Sequence, residues 1–349
     1  MTLPSSGTIT AAMINEELGR SSNASFNLND PDVRALAGKP SGAISFSDFY
    51  NKSGAFTIVS DGHTSTWDSG GWRYYEYWFD GSVTVSGKGT VEVTLIGTGG
   101  GGASGRYDGG SGAGGLVRPT SVEIGWNTYL ISPGYIVGGN AGWPGWSASN
   151  AVNPYGYRGN NSEAFGLKAN GGGAVEPGNG GCSSGTRSTN GIGDGGYFWY
   201  PDPSDFSQGS RGATGKNVYP GLESQFTGGG GGGMGIGPYS GVGGNPTDIQ
   251  PGFGGDGGYH ADAFPGWNMS GSGLTNPFGG GGGAGGGQYP TYAGAGGGLG
   301  GGGLYPGRGR GEPAEWNSCA GAASGGFRAD YNYGGGATSY GCIIFRYRL

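Results

Sequence analysis

Charge, histidine and cysteine are all scarce in this chain. Only 12% of its 349 residues are Asp, Glu, Lys or Arg, and the balance is acidic, with a net charge of −6. A nucleic acid or an anionic membrane surface requires a basic face, and no basic cluster occurs anywhere, so neither is expected as a partner. The three cysteines, Cys182, Cys319 and Cys342, match no metal-ligand spacing, and their odd number favours thiols over a disulfide framework. Cys342 stands in an apolar run and is expected to be buried. The two histidines, His63 and His260, lie far apart with no Ser, Cys or metal partner at a recognisable spacing, so each is read as a surface or turn residue rather than a catalytic one. No window approaches the roughly 18 apolar residues that span a bilayer, and Met1–Ser6 lacks the basic residues and apolar run of a secretory signal. The expectation is a protein left in the cytosol or released by lysis. Hydrophobic residues make up 34%, thin for a core of this size, and oligomerisation is the natural remedy.

Glycine is what the chain has in excess. Of its 91 glycines only Gly7, Gly19, Gly38 and Gly42 fall within residues 1–53. Such an excess alone signals low complexity. Nine Trp and 21 Tyr argue instead for ordered loops, in which glycine lets backbones approach and rings supply the apolar area glycine lacks.

Residues 1–53 carry clean helix punctuation. Thr10 caps an expected helix over Ala11–Leu18 that stops at Gly19, with Ile9 and Ile14 at hydrophobic-staple positions. Asp30 and Pro31 announce a second over Asp32–Ala37, ended by Gly38. Ser45, with Asp48 three residues on, announces a third over Phe46–Tyr50, with Ile44 and Phe49 as its staple. Three short helices make one small module, too slight to stand unsupported and expected to dock on the body of the protein or on a partner.

From Gly54 the pattern turns to strands: Phe56–Val59, Trp72–Phe79 before the Asp80-Gly81 turn, Ser82–Ser86 and Thr90–Ile96. After a glycine loop come Leu116–Ile124, broken by Pro119, and Tyr129–Val137, broken by Pro133-Gly134; both read as edge or bent strands. A short apolar piece, Ala164–Leu167, comes next. The β-branched run Val91–Ile96 is answered by Cys342–Tyr347, and the two are expected to belong to one frame that displays the glycine loops. Between Gly171 and Gly336, glycine islands (Gly228–Gly233, Gly279–Gly287, Gly296–Gly303) alternate with aromatic insertions. A hydrogen-bonded bundle of extended glycine runs is one option. Irregular loops stacked over the sheet are preferred, because no strict three-residue period is present.

No reaction centre emerges. Gly110–Gly115 matches G-x-G-x-x-G, but Leu116-Val117-Arg118-Pro119 after it reads as strand where a phosphate loop requires a helix, and Gly215-Lys216-Asn217 lacks the remainder of a P-loop. Asp202, Asp205 and Asp256 read as solvated turn carboxylates, since the acidic repeats of calcium-binding β-rolls are missing. No metal and no cofactor is expected. Trp143-Pro144-Gly145-Trp146 and Tyr197-Phe198-Trp199-Tyr200 set flat rings in glycine- and proline-rich surroundings. Two readings stay open for each ring: core packing in the gaps glycine leaves, or an exposed stacking surface for sugars or proteins.

The runs Leu3-Pro4-Ser5-Ser6-Gly7, Glu17-Leu18-Gly19-Arg20-Ser21, Leu28-Asn29-Asp30, Leu36-Ala37-Gly38, Ser41–Ser45 and Asp48-Phe49-Tyr50 resemble the N-terminal module of bacteriophage tail and other virion structural proteins. The alternation of strand and poly-glycine loop, closed by an apolar strand, resembles the glycine-rich domain of phage tail fibres and adhesins. This resemblance implies a mainly β protein. A three-helix virion-attachment module (1–53) would precede a β-sandwich-like domain (54–349), with frame strands over about 56–138 and 340–348 and glycine loops at 97–115 and 139–339. It further implies a non-enzymatic virion component, not inserted in membranes, assembled in the host cytoplasm as a homotrimer. Ile14, Leu18, Val33, Leu36, Phe46 and Phe49 would dock it on other tail or baseplate proteins. Trp143, Trp146, Tyr197, Phe198, Trp199 and Tyr200 would meet a host surface carbohydrate or protein. The alternative is a capsid-decorating, head-fibre or baseplate protein that binds only virion proteins; an ice-binding or matrix glycine protein fits the N-terminus poorly.

Overall fold

The computed structural model describes residues 2–101, 112–135, 159–173 and 340–349, with two short ladders at 216–217 with 226–227 and 327–328 with 331–332. It is mainly β, with two α-helices near the N-terminus, α1 (Ala11–Glu17) and α2 (Pro31–Ala37). The Thr10 hydroxyl caps α1 by accepting from the Met13 amide at 3.3 Å. Pro31 opens α2, and Gly38 closes it in the left-handed region at φ 71°, where a Cβ would be strained. Asp30 holds the N-cap position but its side chain caps nothing; Arg20, 2.9 Å away, engages it instead. The third expected helix is a single 3-10 turn, Phe46–Phe49, closed by the capping box of Ser45 and Asp48. Leu3, Ile9, Ile14, Leu18, Val33, Leu36 and Phe49 bury one another at the centre of this N-terminal part.

The strands are β1 (Thr57–Asp61), β2 (Ser65–Ser69), β3 (Trp72–Tyr77), β4 (Gly81–Ser86), β5 (Gly89–Ile96), β6 (Leu116–Ile124), β7 (Asn127–Ser132), β8 (Ser162–Ala164) and β9 (Leu167–Ala169). The two ladders supply β10 (Lys216–Asn217) with β11 (Phe226–Thr227) and β12 (Phe327–Arg328) with β13 (Tyr331–Asn332), and β14 is Cys342–Arg348. Two antiparallel sheets of five strands result, ordered β1-β4-β7-β8-β9 and β2-β3-β14-β5-β6. The expected frame is real: β14 lies between β3 and β5, with Cys342 opposite Ile96 and Phe345 opposite both Val93 and Tyr75. Pro119 sits on β6, an edge strand, as its missing N–H demands. The expected strand over Tyr129–Val137 stops instead at Ser132, before Pro133, and lies inside its sheet between β4 and β8.

The main core fills the space between the sheets. Val83, Val85, Ile131 and Phe165 from the first sheet meet Tyr75, Tyr77, Val91, Val93, Leu95, Ile343 and Phe345 from the second. Phe345 is the hub, stacked on Tyr75 at 5.0 Å and met edge-on by Phe165 at 5.3 Å. Burying a ring of that size contributes about 2–3 kcal/mol. The outer face of the second sheet is buried too, by Tyr74, Trp78, Ile96, Cys342 and Ile344. That is why Cys342–Phe345 is an unbroken apolar run with no alternation. On the first sheet the outer face is open, with Val59 and Leu130 exposed.

The helical part contacts one end of this sandwich. The Gly54 amide donates to Glu17 Oε1 at 2.7 Å, Lys88 reaches Asp32 at 2.6 Å, and Trp126 packs on the helical core. These partners come from the chain before β1, the β4–β5 turn and the β6–β7 turn.

Candidate functional site

Strand direction sorts the turns between two ends. β5 starts at Gly89 beside the helical part and finishes at Ile96 on the far side; β4, β6, β7 and β14 have their Gly81, Leu116, Ser132 and Cys342 ends at that far side as well. Eight residues of β5 at about 3.3 Å each separate the two ends by roughly 25 Å.

At the far end glycine changes the architecture. Facing sheets ordinarily stand about 10 Å apart because side chains fill the gap. Here the continuations of β5 and β9 and the approaches to β6 and β8 turn rich in glycine, and four backbones close to hydrogen-bonding distance. The Gly97 amide donates to Gly115 O at 2.9 Å, Thr98 N to Asn160 O at 3.2 Å and Gly100 N to Gly112 O at 2.8 Å, while Thr98 O accepts from Gly172 N at 2.7 Å. One segment thus bonds to three neighbours, whereas a strand in a sheet has at most two. Gly112 N and Gly115 N donate in turn to Gly173 O and Asn170 O. A Cβ on Gly114 would lie 1.8 Å from Gly97 O, and one on Gly172 2.1 Å from Gly112 O, so only glycine fits. The described glycine runs therefore form a hydrogen-bonded bundle; the irregular loops expected between Gly171 and Gly336 fall, beyond Gly173, outside the described residues. The bundle also explains the fate of Gly112–Gly115 in the nucleotide-like motif: the run leads into strand β6, and the Gly112 and Gly115 amides are spent on backbone carbonyls.

This end is where the described chain is left and rejoined. Residues 101 and 112, 135 and 159, and 173 and 340 bound the three intervening segments, and each pair is at the bundle or beside it. Gly341 N donates to Gly134 O at 3.4 Å, and Asn160 Nδ2 to Tyr135 O at 3.3 Å. Trp143, Trp146, Tyr197, Phe198, Trp199 and Tyr200 belong to these intervening segments and lie outside the described residues, as do His260, Cys182, Cys319, Asp202, Asp205 and Asp256.

Of the six residues expected to dock the helical part, Ile14, Leu18, Val33, Leu36 and Phe49 are buried in its own core. Phe46 alone of the six is exposed, at 40%. His63 serves packing: its Nδ1 is 3.0 Å from Ser60 Oγ and its ring lies edge-on to Tyr75. Among the described residues no group of three or more His, Cys, Asp or Glu gathers to hold a metal, and no helix is long and apolar enough to cross a membrane. Cys342 is buried, as its apolar run requires.

One polar and aromatic group at the glycine end was not anticipated. Asp80 accepts from Ser132 Oγ at 2.9 Å through one oxygen and from the Tyr135 hydroxyl through the other. This pairing pushes the Tyr135 phenol above its ordinary pKa. Phe79 and Tyr135 are both half exposed, and Tyr340 meets Phe79 edge-on at 5.3 Å. The sequence pattern absorbs Phe79 and Tyr135 into strands. The signal against that reading is the adjacent pair Trp78-Phe79, which cannot both face inward on a strand.

A scan against protein-family models finds none that matches the chain, and a search of curated proteins returns no match.

Proposed function

We propose that this chain is a non-enzymatic virion protein of a tailed bacteriophage, a tail-fibre or tail-tip component acting as a homotrimer. Residues 1–53, as a module of three short helical turns, join it to the particle, and the glycine-rich segments meet a host surface molecule. The observation that carries this reading is the division of the molecule into two ends. The helical part contacts one end of the sandwich, and the three intervening segments leave and rejoin the other. An attachment protein needs that separation, since the group that grips the particle must not compete for space with the surface that meets the host. The bundle fixes the ends of the three intervening segments, and the entropic cost of closing such a segment grows only slowly with its length.

Cryo-electron microscopy of particles carrying the chain tests this. The expected position is the distal tail, with residues 1–53 facing the particle and the glycine end facing outward. A position in the shell lattice or wholly inside the baseplate, as for a protein binding only virion neighbours, overturns it.

A further inference from the structure

Phe79, Asp80, Tyr135, Asn160 and Tyr340 reach the glycine end from different connections: the β3–β4 crossover, the chain after β7, the approach to β8 and the approach to β14. Phe79 and Tyr135 each leave 51% of their surface open, and they bracket the Asp80 carboxylate in sequence and by hydrogen bond. We propose that this group is a binding subsite for a neutral pyranose of a surface saccharide. The proposal rests on the reading of the chain as a surface-recognition protein and supplies that reading with a ligand class and residues.

A pyranose presents an apolar C–H face that stacks on an aromatic ring and an equatorial girdle of hydroxyls that need donors and acceptors at fixed places. The five residues supply groups of both kinds. The rings are held: Tyr340 meets Phe79 at an interplanar angle of 73°, and the Tyr135 hydroxyl is tied to Asp80. Fixing the rings before binding lowers the ordering cost of association. The polar groups retain capacity: a carboxylate has about four acceptor sites, and Ser132 and Tyr135 use two of those on Asp80. Asn160 is exposed, and only one of its two amide hydrogens is needed for the bond to Tyr135 O. The Asp80 carboxylate disfavours an acidic sugar, and none of the five residues is a Lys or Arg that would pair with one, so the ligand is uncharged.

The test uses the full chain and saturation-transfer difference NMR with the methyl glycosides of glucose, galactose, mannose and N-acetylglucosamine. At least one glycoside is expected to receive saturation. Its affinity should fall tenfold or more in Phe79→Ala and in Tyr135→Ala, and a few-fold in Asp80→Asn, with the melting temperature of each variant within about 2–3 °C of the parent, what one exposed side chain moves. The proposal is overturned if none of the four binds, or if binding survives both ring substitutions. Adsorption of labelled chain to host cells separates the two levels. Adsorption that persists without glycoside binding removes the subsite and leaves host recognition standing. Glycoside binding that depends on Phe79 and Tyr135, in a chain located in the shell lattice, removes host recognition and supports the subsite.

Discussion

For single residues, contact distance sets the glycines of the bundle. Gly114→Ala would place a methyl group 1.8 Å from Gly97 O, well inside any tolerable approach to backbone. Overpacking a rigid site costs roughly 1–3 kcal/mol and occasionally more. Gly114→Ala and Gly172→Ala are expected at or above the top of that range. Gly125→Ala, whose nearest new neighbour is the flexible Lys88 stem at 3.3 Å, should cost under about 1 kcal/mol. Thermal melts of the three variants check this; equal losses would mean that the bundle is not close-packed. Close approach at glycine was legible in the sequence, but which backbones pair was not. The bonds join Gly97 to Gly115 and Gly172 to Thr98, distant positions with no side-chain pattern to link them, and every glycine looks alike in a string of letters. Caps were legible for the opposite reason: Thr10, Gly38 and the Ser45–Asp48 pair act on neighbours within four residues.

Among elements, strands buried on one or both faces announced themselves through β-branched runs, as in β5, β6 and β14. β2 did not. Its Ser65-Thr66-Trp67-Asp68-Ser69 is polar because it lies at a sheet edge, with only Trp67 reaching apolar neighbours, stacked on Tyr74 at 5.0 Å. The junction between the helical part and the sandwich depends on pH. Lys88 first, and Arg20 after it, hold the Asp32 carboxyl below the usual carboxylate range. A depressed folded value means that the stabilisation is complete above the unfolded value, about 3.9, and fades as pH falls through the lower folded one. Because both partners are partly exposed, the contribution is under about 1 kcal/mol. Proteolysis at residues 53–56 should therefore quicken below about pH 4, and Asp32→Asn should show the quicker rate already at neutral pH. A rate independent of pH and of this substitution would show that the ion pair does not hold the junction.

Across the entire chain, the proposed function requires the two-ended plan to separate stability from recognition. Trp199→Ala and Trp143→Ala are expected to abolish host-cell adsorption while leaving the melting temperature of the sandwich within about 2–3 °C of the parent. A variant that fails to fold would instead assign the ring to packing. The frame was foreseeable because Val91–Ile96 and Cys342–Tyr347 are the two apolar runs that can satisfy each other. The candidate subsite was not, because Phe79, Tyr135 and Asn160 meet only once both sheets are built. The central place of β14 has a further consequence, in time rather than space. Arg346 clasps Glu92 across a separation of 254 residues, at 2.7 Å. During synthesis the second sheet waits, missing its middle strand, while the ribosome makes the glycine-rich region, so closure is late and slow in the manner of folds with distant pairings. A shortened translation product would keep its helices yet never seal, leaving an unfinished copy as prey for proteases.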